Sequence, residues 1–165
     1  MGDHTEAISI DFDPKVLSYE KLLTYFWNGH RCQYSGMGRQ YMNAVFYQND
    51  EQKKTAETSR AKQAATLGIK ESEVKTKIIP VGQFTYAEGY HQKYYLTRQS
   101  DLRAFLEETY QNSKSLADST VATRLNAYLS SGTSRDWNGF LKELPDYGLP
   151  EKLETQVRKL AESKR

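Results

Sequence analysis

The chain has 165 residues, of which 38% are hydrophobic and 27% are charged, and its formal net charge is +2. This composition is typical of a soluble globular protein with one core, or with a domain of about 110 residues and a helical appendage. The 23 basic residues are mixed with 21 acidic ones, so the sequence gives no electrostatic argument for binding nucleic acid. No apolar run approaches the ~20 residues of a membrane span, and we expect no membrane association.

The first predicted element is a strand over residues 6–12. Ile8, Ile10 and Phe12 share one face, because alternate residues of a strand point the same way. Glu6 lies an even number of positions before Ile8, so its side chain would point to this same apolar face. A carboxyl group there loses solvation and can keep its proton near neutral pH. Two interpretations remain open, a buried protonatable Glu6 and a solvated carboxylate at a frayed strand end.

The next element is an amphipathic helix that begins after an N-cap at Ser18 and stops at Gly29. Its apolar residues recur at i, i+3, i+4 and i+7 from Tyr19. A polar loop over residues 30–41 follows, and loops held between rigid elements are where functional sites are commonly built. Residues 43–47 then predict a short, largely buried strand.

A second helix is predicted from an Asn49 cap to Leu67, with Gly68 at its left-handed end. Residues 73–81 alternate as a strand, with the parity of Val74 on one face. Residues 83–95 are an aromatic and polar segment that leads into a short helix. The alternation of strands and helices predicts an α+β fold in which helices pack on a small mixed sheet.

From residue 99 onward the apolar spacing is only helical, which predicts an all-helical C-terminal extension. Asp118 is the predicted N-cap of a helix that carries Leu125, and Pro150 is the predicted first residue of the last helix. We therefore predict two domains, an α+β domain over residues 1–98 and a helical extension over residues 99–165.

Few residues of the chain offer metal or thiol chemistry. Cys32 is the only cysteine, which excludes an intramolecular disulfide and favours a reducing compartment. We expect the cytoplasm, with an organelle as the alternative. A Cys32–His30 pair could act as nucleophile and base, but an ordinary loop thiol is the favoured interpretation. His4, His30 and His91 lack metal-ligand spacing, so no metal site is predicted.

Several motifs in register resemble the peptide methionine sulfoxide reductase A family. In order and spacing they match from about residue 2 to residue 96. The motifs are Gly2-Asp-His-Thr-Glu-Ala, Phe12-Asp-Pro, Ser18-Tyr-Glu-Lys-Leu-Leu, Phe26-Trp with His30, Arg39-Gln-Tyr-Met-Asn-Ala-Val-Phe-Tyr47, Glu51-Gln-Lys-Lys, Ile79-Pro and Phe84-Thr-Tyr-Ala-Glu-Gly-Tyr-His-Gln-Lys-Tyr94. The resemblance implies a ferredoxin-like α+β core, with the helical tail as an extension found in one branch of the family.

The resemblance also implies a reaction, the reduction of methionine S-sulfoxide in proteins as repair of oxidative damage. In the family a cysteine thiolate attacks the sulfur, while a carboxylic acid and tyrosine hydroxyls bind and protonate the oxygen. The resemblance places the acid at Glu6 and a tyrosine at Tyr41, with His4, Tyr86 and His91 as further substrate-binding positions. It implies no bound cofactor, thioredoxin or another thiol as reductant, and a monomer or weak dimer.

The sequence departs from the family pattern at the nucleophile. It contains no Gly-Cys-Phe-Trp motif, Cys32 matches no catalytic position, and Gly36 stands near the place of a usual acidic residue. We therefore expect an N-terminally short family member, a fragment or pseudoenzyme, with little or no reductase activity alone. The alternatives are a non-catalytic module that binds methionine sulfoxide or a protein, and a helical scaffold carried by residues 99–165.

Overall fold

The computed structural model describes residues 4–130 and 135–164, and the chain divides into two compact units, residues 1–84 and 85–165. The elements of the first unit are α1 (Tyr19–Asn28), β1 (Gly36–Met37), β2 (Tyr41–Met42), β3 (Ala44–Tyr47), α2 (Asp50–Leu67), a 3-10 turn (Glu71–Glu73) and β4 (Lys77–Pro80). Those of the second unit are α3 (Tyr94–Thr97), α4 (Ser100–Tyr110), α5 (Ser113–Asp118), α6 (Thr120–Leu129), α7 (Trp137–Glu143), a 3-10 turn (Leu144–Tyr147) and α8 (Glu151–Ser163). The predicted α+β class with C-terminal helices is confirmed, and the domain boundary after residue 98 stays a prediction. No helix of the described ranges is long and apolar enough to cross a membrane.

Helix α1 forms as its sequence predicts. The Ser18 hydroxyl oxygen accepts the backbone N–H of Lys21 at 3.2 Å, which satisfies one of the donors left open at a helix start. Leu23 and Trp27 are the buried residues of its apolar face. The Trp27 indole N–H donates to the Ser59 hydroxyl of α2 at 2.9 Å, so the two helices are joined by a polar bond as well as by apolar contact.

Helix α2 is also bounded as predicted. The Asn49 side-chain oxygen accepts the N–H of Gln52 at 2.9 Å. Gly68 ends the helix in the left-handed conformation (φ +66°), where a residue without Cβ is favoured. Ala56 and Ala64 are its buried residues, and small side chains at these positions allow close packing against α1 and β3.

The first unit contains two short sheets. Strands β3 and β4 pair in parallel, with Ala44 opposite Lys77 and Tyr47 opposite Pro80. The predicted strand over residues 73–81 begins later than expected, because a 3-10 turn occupies its start. Its predicted inward face is confirmed, since Val74 and Thr76 are buried.

The predicted strand over residues 6–12 is wrong: these residues belong to no sheet of the described structure. Ile8 and Ile10 are 84% and 47% exposed, so their shared face is not covered. Alternation defines a face, but a strand also needs a neighbour that satisfies its backbone groups. Among the backbone groups of residues 6–12 in the described structure, only the Glu6 N–H bonds to another segment. It donates to the Gln40 carbonyl at 2.9 Å.

The second unit is a packed cluster of helices. Each of its helices contributes to one buried core, whose residues are Leu96, Leu102, Leu106, Leu116, Ala122, Leu125, Phe140, Leu144, Leu149, Leu153, Val157 and Ala161. The predicted cap at Asp118 is wrong, because the Ser119 hydroxyl accepts the N–H of Ala122 at 3.1 Å and is the cap of α6. Asp118 is instead the last residue of α5, and Pro150 immediately precedes α8.

Candidate functional site

Glu6 is held beside the segment that carries Tyr41. Its backbone N–H donates to the Gln40 carbonyl at 2.9 Å, and the Gln40 amide donates to Glu6 Oε1 at 3.0 Å. The Thr5 hydroxyl donates to the Arg39 carbonyl at 3.0 Å. These three bonds align residues 5–6 with residues 39–40, and Gln40 directly precedes Tyr41 in the chain.

Tyr41 lies on β2, the second strand of a tight hairpin. Strands β1 and β2 pair antiparallel, with Met37 opposite Tyr41 and Gly36 opposite Met42. Gly36 has φ +84°, and a Cβ placed on it would collide with the Tyr41 carbonyl oxygen. The hairpin therefore requires glycine at position 36, both for its left-handed backbone and for the close approach of β2. Tyr41 is 50% exposed.

Of the two interpretations of Glu6, the structure agrees with the solvated carboxylate. The residue is exposed and its carboxylate accepts the Gln40 amide. The buried interpretation required a sheet around residues 6–12, and these residues form none in the described structure. The carboxylate nevertheless has a fixed position, because both its backbone and one of its oxygens are bonded to Gln40.

His30 and Cys32 do not form a thiol–imidazole pair. The two ring nitrogens of His30 lie 2.7 Å from the Phe26 carbonyl and 2.8 Å from the Thr76 hydroxyl. A carbonyl only accepts, so Nδ1 carries a proton, and in the neutral ring Nε2 accepts from Thr76. Cys32 is 3% exposed, and its carbonyl accepts the N–H of Lys75 at 2.7 Å. This group anchors the loop between α1 and β1 to the residues that lead into β4.

Tyr86, predicted to bind substrate, belongs to the second unit. Its hydroxyl donates to Asp118 Oδ1 at 2.9 Å, and the Lys114 ammonium donates to Asp118 Oδ2 at 2.7 Å. Lys114 also lies 5.0 Å from the centre of the Tyr86 ring, within the range of a cation–π contact. The hydrogen bond from Lys114, then that from Tyr86, lowers the pKa of Asp118. The hydrogen bond to Asp118, then the interaction with Tyr86, raises the pKa of Lys114.

The predicted histidines lie on exposed parts of the chain. The His91 ring is 4.3 Å from the Tyr90 ring between centroids, and its Nε2 is 4.0 Å from the Glu88 carboxylate. His91 belongs to the second unit, and His4 is an exposed residue of the first. Among the predicted site residues, the structure brings Glu6 close to the Tyr41 segment within the first unit. Tyr86 and His91 both belong to the second unit.

The sequence does not predict two of the residues that bond to the site positions, Gln40 and Asp118. Gln40 lies within the motif that begins at Arg39, and nothing in its spacing predicts a bond to Glu6, 34 residues away. Asp118 was assigned to a helix cap because it precedes an apolar helical stripe, a signal that Ser119 shares. Among the described residues, no group of three or more histidine, cysteine, aspartate or glutamate side chains is arranged to hold a metal ion.

The comparisons with known proteins agree on one family. The sequence model described as peptide methionine sulfoxide reductase matches residues 1–123. A peptide methionine sulfoxide reductase of Drosophila melanogaster is 39% identical over 131 residues, 79% of this chain and 51% of the relative. Peptide methionine sulfoxide reductase A5 of Oryza sativa subsp. japonica is 32% identical over 159 residues, 91% of this chain and 61% of the relative. Peptide methionine sulfoxide reductase MsrA of Methanosarcina acetivorans is 39% identical over 110 residues, 62% of this chain and 58% of the relative. The chain thus spans little more than half the length of these curated relatives.

Proposed function

Because the chain belongs to the peptide methionine sulfoxide reductase family, we propose that it binds methionine S-sulfoxide in proteins and that Glu6 and Tyr41 bind the sulfoxide oxygen. The observation that carries this proposal is the bonding of Glu6 to Gln40, which holds the carboxyl group next to the Tyr41 segment. A sulfoxide oxygen is a strong hydrogen-bond acceptor. A phenol donates to it directly, and an exposed carboxyl group such as that of Glu6 donates only after it has taken up a proton.

The same two groups serve the family's chemistry. When Tyr41 and protonated Glu6 donate to the oxygen, electron density shifts away from sulfur and the sulfur becomes more electrophilic. A thiolate can then form an S–S bond to this sulfur as the S–O bond breaks, and the oxygen takes up two protons and leaves as water. Attack of water on the cysteine sulfur breaks the S–S bond, so methionine leaves and a sulfenic acid remains on the cysteine. Two thiols, from thioredoxin or another reductant, would return the sulfenic acid to the thiol as they form a disulfide and water.

For the 165-residue chain alone we propose binding with little or no turnover. Cys32 is its only thiol, and at 3% exposure a substrate sulfur has no access to it. A thiol in such surroundings is a packing residue rather than a nucleophile. The alternative of a non-catalytic binding module therefore has a specific observation in its favour, and the two proposals differ only in whether a thiolate acts at this site.

Binding is tested with N-acetylmethionine S-sulfoxide in a calorimetric titration of the full chain, with the R-epimer as the stereochemical control. Glu6→Ala and Tyr41→Phe should each weaken binding of the S-epimer by roughly fivefold or more, the value of one lost hydrogen bond. Glu57→Ala and Tyr25→Phe are matched controls, because both residues are exposed on helices and have no proposed role. Equal losses in the site and control variants would reject the assignment of Glu6 and Tyr41.

Turnover is tested by a reductase assay on the same S-epimer, with dithiothreitol as reductant, in the wild-type chain and in Cys32→Ser. We expect no product above the rate of dithiothreitol alone in either protein. Activity that disappears only in Cys32→Ser would show that the thiol becomes exposed and acts as the nucleophile. That result would overturn the proposal of a chain without turnover.

A further inference from the structure

Met37 is a methionine of the same hairpin that carries Tyr41. It is 72% exposed, so most of its surface faces solvent. Peroxides convert a methionine thioether to a sulfoxide, which turns a flexible apolar side chain into a polar one. The structure therefore places an oxidisable thioether on the hairpin whose tyrosine we assign to sulfoxide binding.

The register of the hairpin puts Met37 beside Tyr41. The two residues are direct partners in the antiparallel pair of β1 and β2. Side chains of direct partners project to the same face, with Cβ atoms about 4.5–5.5 Å apart. Met42 follows Tyr41 in β2, so it points to the opposite face, and it is less exposed. Of the two methionines in the described part of the chain, Met37 shares the face of Tyr41 and Met42 does not.

The Tyr41 hydroxyl is a donor that a nearby sulfoxide can use. Among the residues that the structure describes, none accepts a hydrogen bond from this hydroxyl. A thioether sulfur is a weak acceptor, so Met37 in its reduced form does not compete for the phenol proton. Oxidation adds a strong acceptor to the same side chain. The pair thus changes from a loose apolar contact to a donor and an acceptor on one face.

We propose that Met37 is the preferred oxidation site of the hairpin and that its sulfoxide oxygen accepts a hydrogen bond from the Tyr41 hydroxyl of the same chain. The oxidant is a hydroperoxide. The sulfur lone pair attacks a peroxide oxygen, an S–O bond forms and the O–O bond breaks. The proton on the transferred oxygen passes to the departing hydroxide or alkoxide, so the products are a sulfoxide and water or an alcohol. Sulfur loses the electron pair that the peroxide gains.

The bond occupies the phenol that the proposed function assigns to external methionine sulfoxide, and in this respect the inference rests on that function. Met37 sulfoxide is a tethered competitor, because it is part of the same chain and its effective concentration does not fall on dilution. The oxidised chain should therefore bind external sulfoxide more weakly than the unoxidised chain. Peroxide would in this way close the site of the protein against other sulfoxides.

The oxidation step is tested by treating the full chain with hydrogen peroxide and measuring sulfoxide at Met37 and Met42 by mass spectrometry of peptides. Met37 should be oxidised faster by about twofold or more, because reaction with the oxidant follows exposure. Equal rates at the two residues, or a faster rate at Met42, would overturn the assignment of Met37.

The hydrogen bond is tested by O-acetylation of tyrosine with N-acetylimidazole, which needs a free phenol. Oxidation of the wild-type chain should slow the reaction of Tyr41 by about threefold or more, the value of one hydrogen bond. Tyr25, an exposed residue of α1, is the internal control and should react at an unchanged rate. In Met37→Leu treated with the same peroxide, the rate at Tyr41 should also stay unchanged.

Three results of this assay would overturn the proposal. They are an unchanged rate at Tyr41 in the oxidised wild-type chain, a slowing that persists in Met37→Leu, and a slowing that disappears when the protein is diluted. The last result would mean that the bond joins two molecules, whereas a bond within one chain is independent of concentration.

A calorimetric titration with N-acetylmethionine S-sulfoxide then separates this inference from the proposed function. The oxidised wild-type chain should bind the ligand more weakly than the unoxidised chain by about threefold or more, and oxidised Met37→Leu should show no such loss. Equal affinities of the oxidised and unoxidised wild-type chains would reject the inference and leave the proposed function intact. If the unoxidised chain does not bind the ligand, the proposed function fails, and slower acetylation of Tyr41 after oxidation would still support the bond to Met37.

Discussion

The hairpin that carries Tyr41 contains two glycines that make a matched pair of substitutions. Gly36 and Gly38 both have positive φ, +84° and +74°. A Cβ at Gly36 would meet the backbone of Tyr41, whereas a Cβ at Gly38 would meet nothing within 4 Å. Gly36→Ala and Gly38→Ala therefore share the cost of a left-handed alanine, and only the first adds a collision between strands.

The expected difference follows from these two costs. A left-handed alanine costs about 1–2 kcal/mol, so Gly38→Ala should be destabilised by roughly that amount although its Cβ meets no other atom. At Gly36 the colliding atom is backbone, so no side-chain rotation can relieve the contact and the hairpin must open. Losing its ladder bonds, at about 1 kcal/mol each, should make Gly36→Ala worse by roughly 1–3 kcal/mol.

The assay compares urea unfolding of the two variants with hydrogen exchange at the Glu6 amide. That amide donates to the Gln40 carbonyl, so its protection reports whether residues 5–6 still pair with the hairpin. Gly36→Ala should lose this protection and Gly38→Ala should keep it. Equal protection and equal stability in the two variants would refute the packing argument and, with it, the glycine requirement at position 36.

Three further comparisons test the second unit. Leu125→Ala, at a fully buried position, should cost about 2–5 kcal/mol in urea unfolding, and Leu160→Ala, at 36% exposure, less than about 1.5 kcal/mol. Ser119→Ala should cost about 1 kcal/mol in thermal unfolding, since it removes the α6 cap, whereas Asp118→Ala at the exposed end of α5 should cost about 0.5 kcal/mol or less. Burial raises the pKa of Tyr147 from 10.0 to about 12, so its contribution to stability is complete below pH 10.0 and is lost as the pH rises to about 12. Circular dichroism at alkaline pH should detect this loss in the wild-type chain and a smaller one in Tyr147→Phe.

Each of these expectations has an outcome that would contradict it. Equal costs for Leu125→Ala and Leu160→Ala would mean that the helices of the second unit do not form the described core. A larger effect of Asp118→Ala than of Ser119→Ala would show that the bonds of Asp118 to Tyr86 and Lys114 stabilise this unit more than the α6 cap does. Identical alkaline transitions in the wild-type chain and in Tyr147→Phe would show that this phenol does not contribute to the pH dependence.

The elements that the sequence predicted well are those whose causes are local. The Ser18 and Asn49 caps bond to amides three residues away, and Gly68 needs only its own backbone conformation. Helix propensity, capping and the i, i+3, i+4 pattern depend on a few neighbouring residues, so the local sequence is enough to predict where these helices begin and end. The buried parity of Val74 and Thr76 was predictable for the same reason.

The wrong predictions all needed information from distant residues. Alternation over residues 6–12 gave a face but no partner, and Ile8 at 84% exposure shows that no described residue covers it. The Asp118 carboxylate lies one residue from a suitable cap position, yet Tyr86, 32 residues earlier, and Lys114 bind it instead. A window around Asp118 cannot reveal which of its possible partners the fold brings near.

The pairing of Glu6 with Gln40 makes the two proposed site residues energetically dependent on one hairpin. Glu6→Ala removes the carboxyl group and its bond to the Gln40 amide, and it keeps the backbone N–H that donates to the Gln40 carbonyl. If Gly36→Ala opens the hairpin, Glu6 loses its place beside Tyr41, and removing its carboxyl group as well should cause no further loss of binding. Sulfoxide binding in the double variant should therefore be no weaker than in Gly36→Ala alone, a coupling comparable to the whole effect of Glu6→Ala. Additive losses of binding free energy would mean that Glu6 reaches the ligand independently of the hairpin. The bonding of Glu6 to Gln40 would then no longer support the proposed function.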